Sequence, residues 1–280
     1  MKQEELNPPV FLCFLYTETM EITSTSNPKV KWLRSIIDKK KIRQQEGVFV
    51  GEGVRLLEEA VRQHYSPKAV FYSEELTPRA YDLVQSLEKM TNEVYKLPEW
   101  LFQKIGETQT TQGVVGVFDI GTRLPENPTF VLVLDQLRDP GNAGTLLRSA
   151  LAMGVDAILA TPGTVELFSP KVVRAGMGAH FSLPLVEMDW PSIASTLKQN
   201  DAESFTIVCT VIEGGNPIWE SKPVFPLALV IGSEAHGVSE TGLSLADHLI
   251  TIPMPGEVES LNAAIAGSIA MYEIMRATHF

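Results

Sequence analysis

Three short clusters of polar residues carry the side chains most suited to chemistry. The first is Asp139-Pro-Gly-Asn-Ala-Gly-Thr-Leu-Leu-Arg148, which holds Asn142, Gly144 and Arg148. The second, Gly232-Ser-Glu-Ala-His-Gly237, follows an apolar run and presents Glu234. The third is Ile252-Pro-Met-Pro-Gly-Glu-Val-Glu-Ser-Leu-Asn262. There Pro253 and Pro255 stiffen the chain and Gly256 permits tight approach, so backbone N–H and C=O groups can be brought against a ligand. Two amides, a carboxylate, a hydroxyl (Ser260) and a guanidinium suit holding and orienting a polar substrate. A guanidinium stays protonated and offers donors only, so Arg148 suits an anionic oxygen better than it suits accepting a proton. Each residue also has a plainer reading. Asn142 and Ser260 are good helix N-caps, Glu234 fits an exposed turn, and Arg148 fits a surface salt bridge. His236 titrates in the range a general base needs, but a turn histidine is usually incidental and it is not counted among the site residues.

In order and spacing, the three blocks resemble those of the SpoU/TrmH family of RNA ribose 2′-O-methyltransferases, in the SPOUT class. The family pattern has an Asn, a Gly two residues on and an Arg four further, matched by Asn142, Gly144 and Arg148. It continues with an apolar strand ending in Gly-x-Glu-x-x-Gly, matched by Gly232, Glu234 and Gly237. It closes with Ile-Pro-Met-x-Gly and Ser-Leu-Asn, matched by Ile252 through Gly256 and by Ser260, Leu261 and Asn262. One departure is Ala263-Ala264, where relatives often carry Val-Ser. The resemblance implies S-adenosylmethionine as cofactor, RNA as partner, a homodimer and no metal. It implies catalytic roles for Arg148, Asn142, Glu234, Ser260 and Asn262. It also implies cofactor contacts from Gly232, Ile252 and Leu261, with Thr210 added at the end of its strand. Turn geometry for Gly232 and core packing for Ile252 and Leu261 are the plainer alternatives. Methyl transfer to a ribose hydroxyl is an in-line displacement, and orientation alone can supply part of the roughly 7–11 kcal/mol available to well-placed reactants.

These residues need a scaffold, and the apolar runs describe one. Phe130–Leu134, Ala157–Ala160, Phe205–Val211, Leu227–Ile231 and Leu249–Ile252 are continuous and apolar, as expected for parallel strands covered on both faces. Helical spacing falls near 142–153, 170–178, 191–199 and 261–276. All three blocks then sit at carboxyl ends of strands, where open α/β sheets bind ligands. The last helix, with Leu261, Ile265, Ile269 and Tyr272 on one face, is apolar nearly all round and is expected to be buried. The resemblance adds a C-terminal trefoil knot.

The first half alternates strand-like runs (Val48–Val50, Ala69–Tyr72, Val114–Phe118) with helical stretches near 54–63 and 78–90, which argues for a smaller α/β domain. Phe49-Val-Gly-Glu-Gly53 and Thr108-Gln-Thr-Thr-Gln-Gly-Val114 resemble the L30e-like substrate-binding domain that often precedes SpoU catalytic domains. The expected organisation is an N-terminal extension (1–24), an L30e-like RNA-binding domain (25–118), a linker (119–128) and a SPOUT methyltransferase domain (129–280). Met20 is an alternative start to Met1.

A chain of 280 residues with net charge −11 is not a generic nucleic-acid binder. Residues 29–43 nevertheless hold seven cations (Lys29, Lys31, Arg34, Lys39, Lys40, Lys41 and Arg43) against Asp38 alone. Such a stripe either contacts phosphates or forms a solvated helix face. Cys13 and Cys209 give neither a disulfide framework nor a metal spacing, which suits reduced thiols in the cytoplasm. Val10–Tyr16 is apolar but much shorter than the ~20 residues that cross a bilayer. No Gly-x-Gly-x-x-Gly turn supports a dinucleotide oxidoreductase. The L30e-like half favours 23S rRNA as the substrate, with tRNA as the alternative. A catalytically inactive RNA-binding or assembly factor of the same fold is the reading from another class.

Overall fold

A computed structural model describes residues 20–105, 112–121, 123–198 and 204–279. Cys13, the Val10–Tyr16 run and the Thr108–Thr111 part of the L30e-like motif lie outside the described residues.

The first half contains β1 (Met20–Glu21), α1 (Pro28–Asp38), α2 (Lys40–Glu46), β2 (Val48–Glu52) and α3 (Val54–Arg62). It continues with β3 (Ala69–Ser73), α4 (Pro78–Glu88), β4 (Val94–Leu97), α5 (Glu99–Gln103) and β5 (Val114–Asp119). Its sheet runs β1-β4-β3-β5-β2, with β1, β4 and β3 parallel and β5 antiparallel to both its neighbours. The sheet begins at Met20, inside the segment read from sequence as an extension. Local chemistry sets the helix ends. Asn27 accepts the Lys29 N–H at 2.8 Å with Pro28 in the first turn, and Gly47 closes α2 in the left-handed region at φ 62°.

The second half contains β6 (Phe130–Asp135), α6 (Pro140–Ala152), β7 (Ala157–Ala160), α7 (Pro170–Gly176), β8 (Leu185–Glu187) and α8 (Trp190–Lys198). It ends with β9 (Thr206–Thr210), β10 (Asn216–Pro217), β11 (Leu227–Gly232), α9 (Glu240–Leu245), β12 (His248–Thr251) and α10 (Ala263–His279). Its seven strands are all parallel, in the order β10-β12-β9-β11-β6-β7-β8. Every residue of β6 and of β11 is buried, because helices cover both faces of the sheet. Among the described residues, no helix is long and apolar enough to cross a membrane.

α10 differs from expectation in two respects. It begins at Ala263, so Leu261 precedes it, and Asn262 rather than Ser260 caps it, accepting N–H groups of Ala264 and Ile265 at 2.9 and 3.2 Å. Ala264, Ala270, Met271 and Ile274 are the buried side, whereas Ile265, Ile269 and Tyr272 are exposed by 50, 36 and 47 %. The small residues that make the helix look wholly apolar allow close packing on one side only. Gly267 lies against Leu146 of α6 and Ile231 of β11.

The two halves share a buried junction. Phe49 of β2 packs on Phe168 and Phe181 at centroid distances of 5.4 and 5.8 Å, and Phe181 meets Phe118 at 4.8 Å. Arg43 crosses the same junction. Its Nε and one terminal nitrogen donate to the two carboxylate oxygens of Glu166 at 2.6 and 2.7 Å, and its other terminal nitrogen donates to the Ile36 and Ile37 carbonyls. Arg43 is only 4 % exposed and so leaves the basic stripe read from sequence. Lys29 also departs in part, pairing with Glu93 at 2.5 Å. Lys31, Arg34, Lys39, Lys40 and Lys41 remain exposed.

Candidate active site

The loops after β6, β11 and β12 meet at the carboxyl edge of the parallel sheet. Pro140 and the Asp139 carboxylate, which accepts the Asn142 N–H at 2.7 Å, start α6 early. Asn142 therefore stands inside the first helical turn and is not the cap. Gly144 is needed for packing: a Cβ there would sit 2.3 Å from the Ala175 Cβ, so α6 and α7 can approach only if this residue is glycine. Gly232 does the same for the second loop, which folds back so tightly that a Cβ would meet the Gly237 carbonyl carbon at 2.0 Å.

These constraints bring three side chains together. The Asn142 Nδ2 donates to Oε1 of Glu234 at 2.8 Å, and the Asn262 Nδ2 donates to Oδ1 of Asn142 at 2.9 Å. The Arg138 N–H points at the other Glu234 oxygen from 3.5 Å. Partial desolvation would push the Glu234 carboxyl up. The hydrogen bonds from Asn142 and from backbone N–H groups, including those of Arg138 and Asp139, outweigh it and hold the group below the ordinary carboxylate range. One residue from each block thus forms a continuous amide–carboxylate chain.

Beside this chain lies a cavity of about 340 Å³. Ile231, Val238, Leu243, Ile252 and Leu261 supply apolar wall, while Thr210, Ser233, Glu234 and Ser260 supply polar groups. Residues 252–262 form neither helix nor strand, so their backbone groups are not tied into a ladder. Apolar wall edged by a few polar groups is the usual make-up of a small-molecule site. All four expected cofactor residues (Thr210, Gly232, Ile252 and Leu261) line it, as do Glu234 and Ser260. Asn142 and Asn262 join through Glu234 without lining the cavity.

Arg148 is placed apart. It is exposed on α6, six residues beyond Asn142, or roughly 9 Å along the axis at ~1.5 Å per residue. Two residues escaped the sequence reading. Asp135 extends β6 past Leu134 and is wholly buried, and Ser239 caps α9 next to it. The only signal for Asp135 was a lone acid closing an apolar strand.

Residues 129–272 match the SpoU rRNA Methylase family, and residues 27–116 match the MRM3-like substrate binding domain. The chain belongs to the SpoU rRNA methylase family. Among its relatives, the 23S rRNA (guanosine(2553)-2'-O)-methyltransferase RlmP of Bacillus subtilis is 33 % identical, covering 91 % of this chain and 98 % of the relative. The 23S rRNA (uridine(2479)-2'-O)-methyltransferase of Streptomyces viridochromogenes is 28 % identical, covering 91 % of each. The AdoMet-bound rRNA methyltransferase of Sinorhizobium meliloti superposes with a TM-score of 0.81 at 28 % identity, over 93 % of this chain and 98 % of that one. Membership in the SpoU family agrees with the resemblance that the three blocks carry. The parallel seven-stranded sheet is the family's fold.

Proposed function

We infer that this chain is an S-adenosylmethionine-dependent methyltransferase acting on a ribose 2′-hydroxyl of ribosomal RNA, with 23S rRNA the favoured substrate. The observation that carries the reading is the Asn262–Asn142–Glu234 chain, which joins all three family blocks at the rim of one cavity. Relatives covering nearly the whole chain act on 23S rRNA by name, and the match to a substrate-binding domain supports RNA recognition by the first half.

Thr210, Gly232, Ile252 and Leu261 would hold the cofactor, which when bound supplies an electrophilic methyl group. The chain's own residues do the rest. Glu234 and Asn262 fix the Asn142 amide from both sides, leaving one amide hydrogen and one lone pair to orient the incoming nucleotide. Arg148, open to solvent, receives an RNA phosphate and stabilises the developing charge on the ribose oxygen, while phosphate or water takes the proton. Ser260, at the cavity wall, completes the polar edge.

The exposed Ile265, Ile269 and Tyr272 lie at helical spacing on one face of α10. A second copy of the chain covers that face in the proposed homodimer. The trefoil threading and a cytoplasmic location complete the reading. The return of α10 from β12 to pack on α6 and β11 supports the former. Labelled methyl transfer to ribosomal RNA, followed by mapping of the 2′-O-methyl position, tests the function. Incorporation into tRNA alone would replace the substrate, and no incorporation into either would leave an RNA-binding factor of the same fold.

A further inference from the structure

Asp135 is the register partner of Gly232, so it stands beside the point where the second loop leaves the sheet. It is fully buried in a strand whose other residues are all apolar. Burying a carboxylate is costly unless donors meet it, and packing alone would be served by Val or Leu. Here three donors converge. The Thr161 hydroxyl and the Trp190 indole Nε1 donate to Oδ1 at 2.8 and 3.2 Å, and the Ser239 N–H donates to Oδ2 at 2.7 Å. Ser239 then caps α9 through its Oγ, which accepts the Gly242 N–H and also lies 3.2 Å from the Trp190 Nε1.

The placement has a specific result. The loop 232–239 is anchored at both ends to one residue of β6, through the sheet register at Gly232 and through Oδ2 at Ser239. Between those anchors lie Ser233, Glu234, His236 and Gly237, all in the cavity wall. Asp135 governs the first loop as well. Thr161, held by Asp135, accepts the Gln136 N–H at 3.0 Å, and Gln136 turns the chain at φ 56° toward Arg138 and Asn142.

We propose that Asp135 is a positioning residue for the cofactor site: its buried carboxylate sets the loop 232–239 in the shape that binds S-adenosylmethionine. The inference rests on reading the cavity as that site. An amide of the same size cannot reproduce all three of these contacts. In one orientation its NH₂ opposes the Ser239 N–H; in the other it displaces the Trp190 Nε1–H, which keeps the Ser239 Oγ alone as acceptor, and the Thr161 hydroxyl must turn from donor to acceptor.

The test uses the full chain carrying Asp135→Asn, with S-adenosylmethionine affinity from calorimetry, methylation kinetics on ribosomal RNA, and thermal melting. The expected result is a folded protein whose Kd and KM for S-adenosylmethionine rise on the order of tenfold, as one opposed buried donor implies. Cofactor affinity measured without RNA is the deciding readout, because Glu234 of the same loop also holds the Asn142 amide, so RNA kinetics would move with the loop. A residue that only stabilises the fold would lower the melting temperature and leave cofactor affinity unchanged, which would overturn the proposal. If Asp135→Asn does not fold, Trp190→Phe removes one donor and keeps the carboxylate. It should raise the same KM, and an unchanged KM would overturn the proposal equally. A parent protein that neither binds S-adenosylmethionine nor methylates RNA would instead remove the functional reading itself.

Discussion

The side-chain amide of Asn142 donates to Glu234 across 92 positions of sequence, at 2.8 Å. A helix residue and a loop residue are thereby fixed to each other. The bond is charge-assisted and specifies which way the Asn142 amide points, since the carboxylate can only accept. Asn262 reinforces the same orientation by donating to the opposite end of the amide.

Two residues joined in one network should not act independently. Asn142→Ala and Glu234→Gln should each reduce methyl transfer, and the double variant should lose less than the product of the two. The coupling expected is about 0.5–3 kcal/mol, the range for directly contacting residues. A double-mutant cycle on single-turnover rates measures it, and strict additivity would show that the contact has no role in turnover. The pH dependence has a definite sign. Because Glu234 is held below the ordinary carboxylate range, its link to Asn142 is intact at neutral pH and is lost only as pH falls through that lowered value.

The centre of the parallel sheet was legible because both its faces are covered, so β6, β7 and β11 and the middle of β9 read as apolar runs, whereas β12 has only Ile250 buried. β1, β8 and β10 are two or three residues long and carry no pattern that a sequence can show. Glu234 and the two asparagines could be named only from the family resemblance that the three blocks carry, and their mutual contacts depend on how three strand ends align. Arg43 shows the opposite failure. It lies in a basic segment and looks solvated, yet its partner Glu166 is 123 positions away and closes over it only once the two halves pack. Asp135 was hidden for a similar reason, since Thr161, Trp190 and Ser239 come from three separate segments.

The exposed part of the basic stripe gives a second prediction. If Lys39, Lys40 and Lys41 contact RNA phosphates, replacing all three with Gln should weaken RNA binding. The slope of log affinity against log salt should become shallower by roughly 2–3, at about 0.7–0.9 per phosphate contact. Cofactor affinity should hold. An unchanged slope in filter-binding titrations would make these lysines a solvated face.

His180 sits in the junction between the halves, packed on Phe49 and Phe168. Its Nε2–H donates to the Leu167 carbonyl at 2.8 Å, and its buried Nδ1 meets no hydrogen-bond partner among the described residues. Burial dominates and pushes the imidazole down to about 4. The unfolded chain therefore binds a proton between about pH 6.5 and 4 that the folded chain refuses, and stability falls as pH drops through that window. The associated loss reaches about 3 kcal/mol only once pH is below the folded value near 4. His180→Gln keeps a donor for Leu167 and cannot titrate. Its denaturation midpoint should change less between pH 7 and 4 than that of the parent, and equal slopes would show that His180 is not the group responsible.

The uncovered face of α10 sets a fourth measurement. Ile265→Glu and Tyr272→Glu place charges where a second copy would bury them, which costs several kcal/mol for an unpaired charge. Sedimentation should show a dimer for the parent and a monomer for the double variant. A parent that sediments as a monomer would reject the interface, and a dimeric double variant would move it to another face.

Arg148 stands roughly 9 Å along α6 from Asn142 and is exposed, so its target must come from outside the chain's own cluster. An RNA phosphate is the natural anion for a guanidinium, which can meet two oxygens at once with a planar pair of donors. Arg148→Lys keeps the charge but replaces that fork with a point charge on a flexible stem. If Arg148 holds phosphate and ribose oxygen together, this substitution should cut turnover by orders of magnitude despite its conservative look. S-adenosylmethionine affinity should barely move, because Arg148 does not line the cavity. Single-turnover methylation at saturating RNA separates the chemical step from binding. A rate near the parent's for the Lys variant would show that charge alone suffices, and the oriented amide of Asn142 would become the main candidate for fixing the ribose.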